Sequence, residues 1–540
     1  MISAMQTEPL GLHHVFERAE AVFADREVTG REPGGVRGLD YAELFAGARG
    51  LAEDLEGLGL RPGDRVATYA WNTLDHMRAY IAIPGAGMVM HTVNIRLGAD
   101  EVAYTLAHAG DRAVLVDGSL WESWSAVDLP DTVEHVLVMG EAPELPAVQG
   151  GAAVHRLETR PVPERRGWWR PRDENEAVGI CYTSGTTGRP KAVVYSHRSV
   201  YLHALTLCGT DAFAIGHHDV VLPVVPMFHA NAWNLPYAGL VAGAGLAFPG
   251  RHLDPLGLTG FIRDSRSTFA AGVPTVWAAV VRALHEGRAP GDALATVDRI
   301  VIGGSSAPES LLDALTGLGI RPVHAWGMTE CSPVGLVASE PCTPDGAVRS
   351  AARRTQGRPL PGLAVRSSAE GREAARDGAA VGELEISGPF VVDHYHAPEK
   401  DDSASFTASP DGRRWLRTGD MVTVDARGYV TLVDRAKDMV KSGGEWISSV
   451  DLENRLAAHP RVNETAVIAV PDEVWGERPV AVLSSTDGEP IDPDELRSFL
   501  RAQVPRWQLP DRFVVVDEVP KTGVGKFDKK RMRAEYGHGR

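Results

Sequence analysis

Arg299-Ile-Val-Ile302 is a short run of β-branched residues that ends in Gly303-Gly304 and leads into a helical pattern. Pro308 stands near the first turn of that helix, Leu311, Leu312 and Leu315 share one face, and Gly317 and Gly319 stop it. Strand, glycine turn, helix is the unit of open α/β sheets, and ligands collect at the turn. Short β-rich runs alternate with helical patterns along most of the chain, with no repeat of fixed period. The expected class is therefore α/β, with layered sheets and helices.

The last hundred or so residues carry a different pattern. Ser448-Ser449-Val450-Asp451 resembles a capping box, with Leu452 and Leu456 following at helical spacing. Strands are expected at 465–470, 479–483 and 512–516. Asp492-Pro493 opens a helix between the last two. This is a small α+β unit able to fold by itself. The charged, strand-poor stretch Asp434-Arg435-Ala436-Lys437-Asp438 suits a hinge, so the expected domains are 1–436 and 437–540. Residues 369–380 are expected to form an exposed loop.

Composition narrows the function classes. The chain has 540 residues, 44% hydrophobic and 23% charged, which fits a folded chain with a sizeable core. Its net charge of −16 lacks the basic footprint of a nucleic-acid binder, yet local positive charge can still hold a small anion. Cys181, Cys208, Cys331 and Cys342 show no CxxC pair and no zinc-like spacing, and are expected as reduced thiols. The first residues lack a secretory pattern, and no uninterrupted apolar run reaches membrane-spanning length. The expected location is cytoplasmic, without integral membrane association.

The densest chemical signal is Thr183-Ser184-Gly185-Thr186-Thr187-Gly188-Arg189-Pro190-Lys191. Glycines let several N–H groups face one anion, hydroxyls add donors, and Lys191 adds a point charge. The flanks, 178–182 and 192–195, both have strand character, so the loop joins two strands. A Walker A loop runs instead from strand to helix, and GxGxxG, HExxH and GxSxG are all absent. A polar surface hairpin that binds nothing is the competing reading.

The stretch from Tyr182 to Ala192 resembles the signature of the adenylate-forming superfamily, which holds acyl-CoA synthetases, peptide-synthetase adenylation domains and firefly-type luciferases. Further matches follow in the family's order. Pro226-Met-Phe-His229-Ala-Asn-Ala-Trp233 is similar to the segment lining the acyl pocket. The resemblance places His229 near the acid carboxylate and α-phosphate, and makes Trp233 an indole that gates a fatty-acid tunnel. Gly303, Gly304 and Ser305 resemble the backbone along adenine. Trp326-Gly327-Met328-Thr329-Glu330 resembles the aromatic-Gly-x-Thr-Glu motif. It implies Trp326 stacked on adenine, Met328 at the substrate pocket, Thr329 donating to the α-phosphate and Glu330 holding Mg²⁺. Asp420 and Arg435 match ribose-binding residues, and Lys437 sits at the family's hinge. Lys441, Gly443 and Gly444 match the pantetheine channel. Lys526, after Pro520-Lys-Thr-Gly-Val-Gly525, matches the lysine that enters the site for adenylation. Two departures are visible: Ala192 stands where glycine is common, and Trp326 where tyrosine is usual.

The resemblance implies a large adenylating domain and a small mobile one, with ATP and Mg²⁺ as cofactors and coenzyme A as co-substrate. The leading expectation is an ATP-dependent acid–CoA ligase for a medium- or long-chain fatty acid. A second keeps adenylation but takes an aryl acid, or nitrite for diazotising an aromatic amine. A third is a nucleotide binder that has lost catalysis; Lys526, Glu330 and Asp420 together oppose it. The partners are a small carboxylic acid, ATP and CoA. A homodimer is compatible with the family, although the sequence reveals no interface.

Overall fold

Phe269–Gly272, Arg299–Ile302 and Arg321–Gly327 lie side by side as parallel strands. Arg-Ile-Val-Ile is buried along its whole length, as a central parallel strand covered on both faces must be. Helices Pro255–Ser265, Pro274–His285 and Glu309–Gly317 pack over this sheet through Phe261, Ile262, Trp277, Val280, Leu312 and Leu315. The first is set by Asp254, whose carboxylate caps Gly257 N–H, followed by Pro255 at the first helical position. The computed structural model describes residues 4–163, 167–183, 189–369, 371–398, 402–443, 445–522 and 526–537.

The parallel strands belong to a nine-stranded sheet that also takes in Val220–Pro223, Gly245–Phe248 and Val334–Val337. A second sheet of eight strands ends with Ala177–Tyr182 paired antiparallel to Ala192–Ser196, so the hydroxyl-rich loop does join two strands. The main core between the layers contains Phe16, Tyr41, Phe45, Tyr80, Trp168, Tyr237 and Phe248. A six-stranded sheet holds Gly382–Ser387, Arg414–Val424 and Val430–Arg435. The chain then enters a five-stranded sheet built from Val440–Ser442, Glu445–Ile447, Val462–Asp472, Gly476–Ser485 and Arg512–Val515. Sheet membership thus changes between Arg435 and Val440.

Three local expectations need correction. Asp434 and Arg435 are strand residues, not part of a strand-poor segment, because Asp420 pairs with Arg435 and Met421 with Asp434 across the ladder. The stretch 369–380 is exposed but not wholly loop: Arg372–Glu373 folds back as a short strand on Ala364–Ala369. Ser448 caps Asp451 N–H as expected, but the reciprocal half of a capping box is not seen. The four cysteines are free thiols. Among the described residues, no helix is long and apolar enough to cross a membrane.

Candidate active site

Gly303-Gly304, Gly327-Met328 and Val225-Pro226 lie at or just beyond the carboxyl ends of parallel strands, and all six residues line one cleft of about 630 Å³. Its wall also takes Thr183, Lys191, His229, Trp233, Trp326, Thr329, Glu330, Arg435 and, from the far end of the chain, Lys526. A ligand crevice outside the carboxyl ends of the strands is the general expectation for an open α/β sheet.

The strand Arg321–Gly327 delivers Trp326 to the cleft, and its indole Nε1–H donates to Asp420 Oδ2 at 2.8 Å. Asp420 is buried, and Arg435 Nε stands 3.1 Å from its other oxygen. The expected stacking residue is therefore also tied to the expected ribose acid. Nothing in the sequence pairs these positions; the link comes from two sheets meeting at the cleft.

Glu330 is buried, and Tyr395 Oη donates to its Oε1 at 2.7 Å. Burial raises the Glu330 pKa, and the Tyr395 hydrogen bond opposes that rise. Lys191 Nζ stands 4.3 Å from the centroid of the Tyr395 ring. Tyr395 is thus a site residue that sequence reasoning missed, since no motif surrounds it. Tyr195 is another: its hydroxyl donates to the Thr329 carbonyl at 2.7 Å. Strand alternation after Ala192 puts Tyr195 on the buried face, the one signal that could have found it.

Lys526 reaches the cleft beside Gly304. Burial lowers its pKa to about 8 and the Arg435 guanidinium adds to this, while Asp420 and Glu330 resist. Burial, helped by Lys526, lowers His229 to about 3, so its imidazole is neutral near pH 7. Trp233 lies across Gly303-Gly304; a methyl group at position 303 would stand 3.1 Å from its ring. The turn that carries it is left-handed, with φ of 45°, 52°, 48°, 57° and 65° from Ala230 to Asn234.

Ser305 lines a second cavity of about 640 Å³, between residues of the segment 274–327 and residues of the segment 420–533. Lys437 borders that cavity together with Asp434, Glu453, Lys529 and Arg533. Across this junction Asp434 Oδ2 accepts from Ser449 N–H at 2.5 Å and from its hydroxyl at 2.8 Å. Arg282 donates to Asn463. Lys441 and Gly443 line neither cavity; Lys441 Nζ instead lies over the exposed Trp446 ring at 5.4 Å. Ser184, Gly185, Thr186, Thr187, Gly188 and Gly444 lie outside the described residues.

Known proteins resemble this chain along nearly its whole length. The family model for the AMP-binding enzyme matches residues 16–396, and that for the AMP-binding enzyme C-terminal domain matches residues 451–526. A long-chain-fatty-acid–CoA ligase of Thermus thermophilus is 43% identical, over 99% of this chain and 97% of its own. A medium-chain-fatty-acid–CoA ligase of Ectopseudomonas oleovorans is 37% identical, over 99% and 98%. The crystal structure of an anthranilate CoA ligase, AuaEII, in complex with anthranoyl-AMP, overlays with a TM-score of 0.85, covering 98% of each chain at 21% identity. At that identity the likeness speaks to the fold alone. A cleft assembled from residues as far apart as Tyr104 and Lys526 and near full-length relatives of one kind lead to the same place: the chain belongs to the AMP-binding enzyme family, as an adenylate-forming acyl-CoA synthetase.

Proposed function

We propose that this enzyme activates a medium- or long-chain fatty acid with ATP and passes the acyl group to CoA. A carboxylate oxygen attacks the α-phosphorus, the bond to the bridging oxygen breaks, and pyrophosphate leaves. The CoA sulfur then attacks the acyl carbon, and AMP leaves with its oxygen. The observation that carries this reading is the convergence of His229, Trp233, Thr329, Glu330, Arg435 and Lys526 on one cleft. Neutral His229 is suited to donate a hydrogen bond to the acid, and cationic Lys526 to meet the charge growing on phosphate. Trp233 offers an apolar wall to an acyl chain.

Glu330 fits a divalent cation. It is a carboxylate at the cleft wall whose charge burial opposes and a hard cation favours. Mg²⁺ held there would draw charge from the phosphate oxygens. Tyr395 fixes the carboxylate by its hydrogen bond. Tyr395→Phe is expected to raise the Mg²⁺ concentration for half-maximal adenylation about tenfold, a typical cost of losing a group that orients a metal ligand. A Mg²⁺ titration of pyrophosphate release checks this; an unchanged midpoint would remove Tyr395 from that role.

Trp326→Phe keeps the ring and deletes the N–H that Asp420 accepts. The loss of one hydrogen bond at a carboxylate predicts a KM for ATP raised about tenfold with kcat nearly unchanged. Steady-state kinetics at saturating acid would show it. An equal fall in kcat would instead mean that the indole acts at the transition state.

The proposed small domain, from residue 437, would reorient about Lys437 between the two steps. That motion breaks the Asp434–Ser449 and Arg282–Asn463 contacts and withdraws Lys526. It would bring Lys441 and Gly443 toward the cleft as a channel for pantetheine. The deciding experiment is mass spectrometry of products from Mg·ATP with fatty acids of several lengths, aryl acids, and nitrite with an aromatic amine, each with and without CoA. A CoA-dependent fatty acyl thioester is expected. AMP release with no thioester from any acid would overturn the ligase reading.

A further inference from the structure

We propose a zinc-binding site at the amino-terminal helix, formed by Glu8, His13 and His14, that ties this helix to the segment just ahead of it. One ligand atom from each residue lies within 4.8 Å of the others. His13 Nε2 is 3.9 Å and His14 Nε2 is 4.0 Å from the same oxygen, Glu8 Oε1. Two imidazoles and a carboxylate are a donor set that zinc favours, with water in the fourth position.

His13 supplies the independent observation. It is 2% exposed, yet among the described residues neither ring nitrogen has a hydrogen-bond partner. A buried polar group in that state costs about 1–3 kcal/mol and asks for a missing partner. The ring is admitted by Gly11, where a Cβ would stand 2.5 Å from His13 Nδ1. The segment is already held in place. Leu10 N–H donates to Glu174 Oε2 at 3.1 Å, and Leu12 N–H to His197 Nδ1 at 3.3 Å.

Tetrahedral zinc holds its ligand atoms about 3.4 Å apart, so closure of about an ångström is needed. The exposed Glu8 side chain supplies that freedom for its own two distances, and the partly exposed His14 ring, now tilted over His13 with centroids 3.9 Å apart, must swing to supply the third. Arg170 Nη1, now 3.7 Å from Glu8 Oε1, opposes the cation, but its Nη2 stands 3.1 Å from Glu17 and keeps that partner when Glu8 turns away. The bound ion joins the helix Leu12–Val22 to the segment ahead of it. Leu12, the first residue of that helix, already meets the helix His197–Leu207, which follows directly from the strand after Lys191.

The test uses tag-free, full-length protein stripped with chelator, titrated calorimetrically with Zn²⁺ in excess Mg²⁺ to keep the nucleotide cleft out of the readout. One zinc per chain and a raised melting temperature are expected for the parent protein. Glu8→Gln and His14→Ala are expected to weaken zinc binding at least tenfold while melting like the parent in EDTA. Zinc bound equally well by both variants, or no zinc bound by the parent, would overturn the site. If a variant melts lower in EDTA, the zinc-dependent shift in melting temperature within that variant decides: its loss supports the site and its persistence overturns it.

Discussion

Acyl-adenylate formation by Lys526→Ala is expected to fall by about 10²–10³-fold, the usual cost of removing one preorganised group aimed at developing charge. The lysine lies in a cleft wall shared with Glu330, Thr329 and Arg435, and its desolvation there makes a fixed cation act more strongly than in water. Thioester formation from supplied acyl-adenylate and CoA should change little, because the proposed second step does not use this side chain. That contrast separates a catalytic loss from a folding loss. The pH dependence gives a second readout. Lys526 acts as the cation, and its pKa is lowered to about 8. The cationic fraction is therefore full well below pH 8 and is lost as pH rises through it, so kcat/KM for adenylation should fall above about pH 8. Lys526→Ala should lack that falling limb. Rapid-quench measurement of adenylate from pH 6 to 10 checks both points, and wild-type rates in the variant would sink the assignment.

Gly327→Ala is expected to remove about 3 kcal/mol or more of stability and to lower adenylation about 10²-fold in whatever folds. A Cβ at this position would lie 2.0 Å from the Pro333 carbonyl oxygen and 2.9 Å from both Pro333 C and Val334 Cα. These are backbone atoms of the neighbouring strand segment, so no rotamer change can make room. The ladder already shifts register between Trp326 and Gly327 to bring the chains this close. Pushing them apart moves Trp326 and Thr329, which flank the glycine and line the cleft. Gly317→Ala is the matched control. It makes the same chemical change in the helix Glu309–Gly317, where the added methyl meets nothing within 4 Å, and should be near neutral. Urea melts of the two variants, with adenylation assayed at equal folded protein, give the comparison. Similar melts would contradict the backbone-contact argument.

The strand–turn–helix unit at 299–317 was legible because its cues are local: β-branched residues, paired glycines, and a leucine face at helical spacing. So was the loop between the strands ending at Tyr182 and starting at Ala192. The family motifs named most of the cleft, since Lys191, His229, Trp233, Gly303, Trp326, Thr329, Glu330, Arg435 and Lys526 all line it. What escaped depends on non-local contacts. Tyr395 reaches Glu330 across 65 positions, and Trp326 reaches Asp420 across 94. No window of sequence contains either pair. The misjudged stretch at Asp434 fails for a related reason. Its charges suggested a hinge, but the Asp434 backbone pairs with Met421 in the ladder and Ser449 donates twice to its carboxylate in the interior.

The left-handed turn from Ala230 to Asn234 has a consequence for how this enzyme can change. Alanine and tryptophan at positive φ cost about 1–2 kcal/mol each, so three such residues hold a noticeable share of a folded chain's net stability of about 5–15 kcal/mol. Glycine at position 230 or 232 would release part of that tension and make the protein hardier. It would also let the indole at 233 wander from the surface it covers. With the proposed place of Trp233 against the acyl chain, robustness and acid selectivity are coupled through one short arc of backbone. A lineage selected only for heat resistance would gain by slackening this arc, at the expense of the fixed placement of that indole.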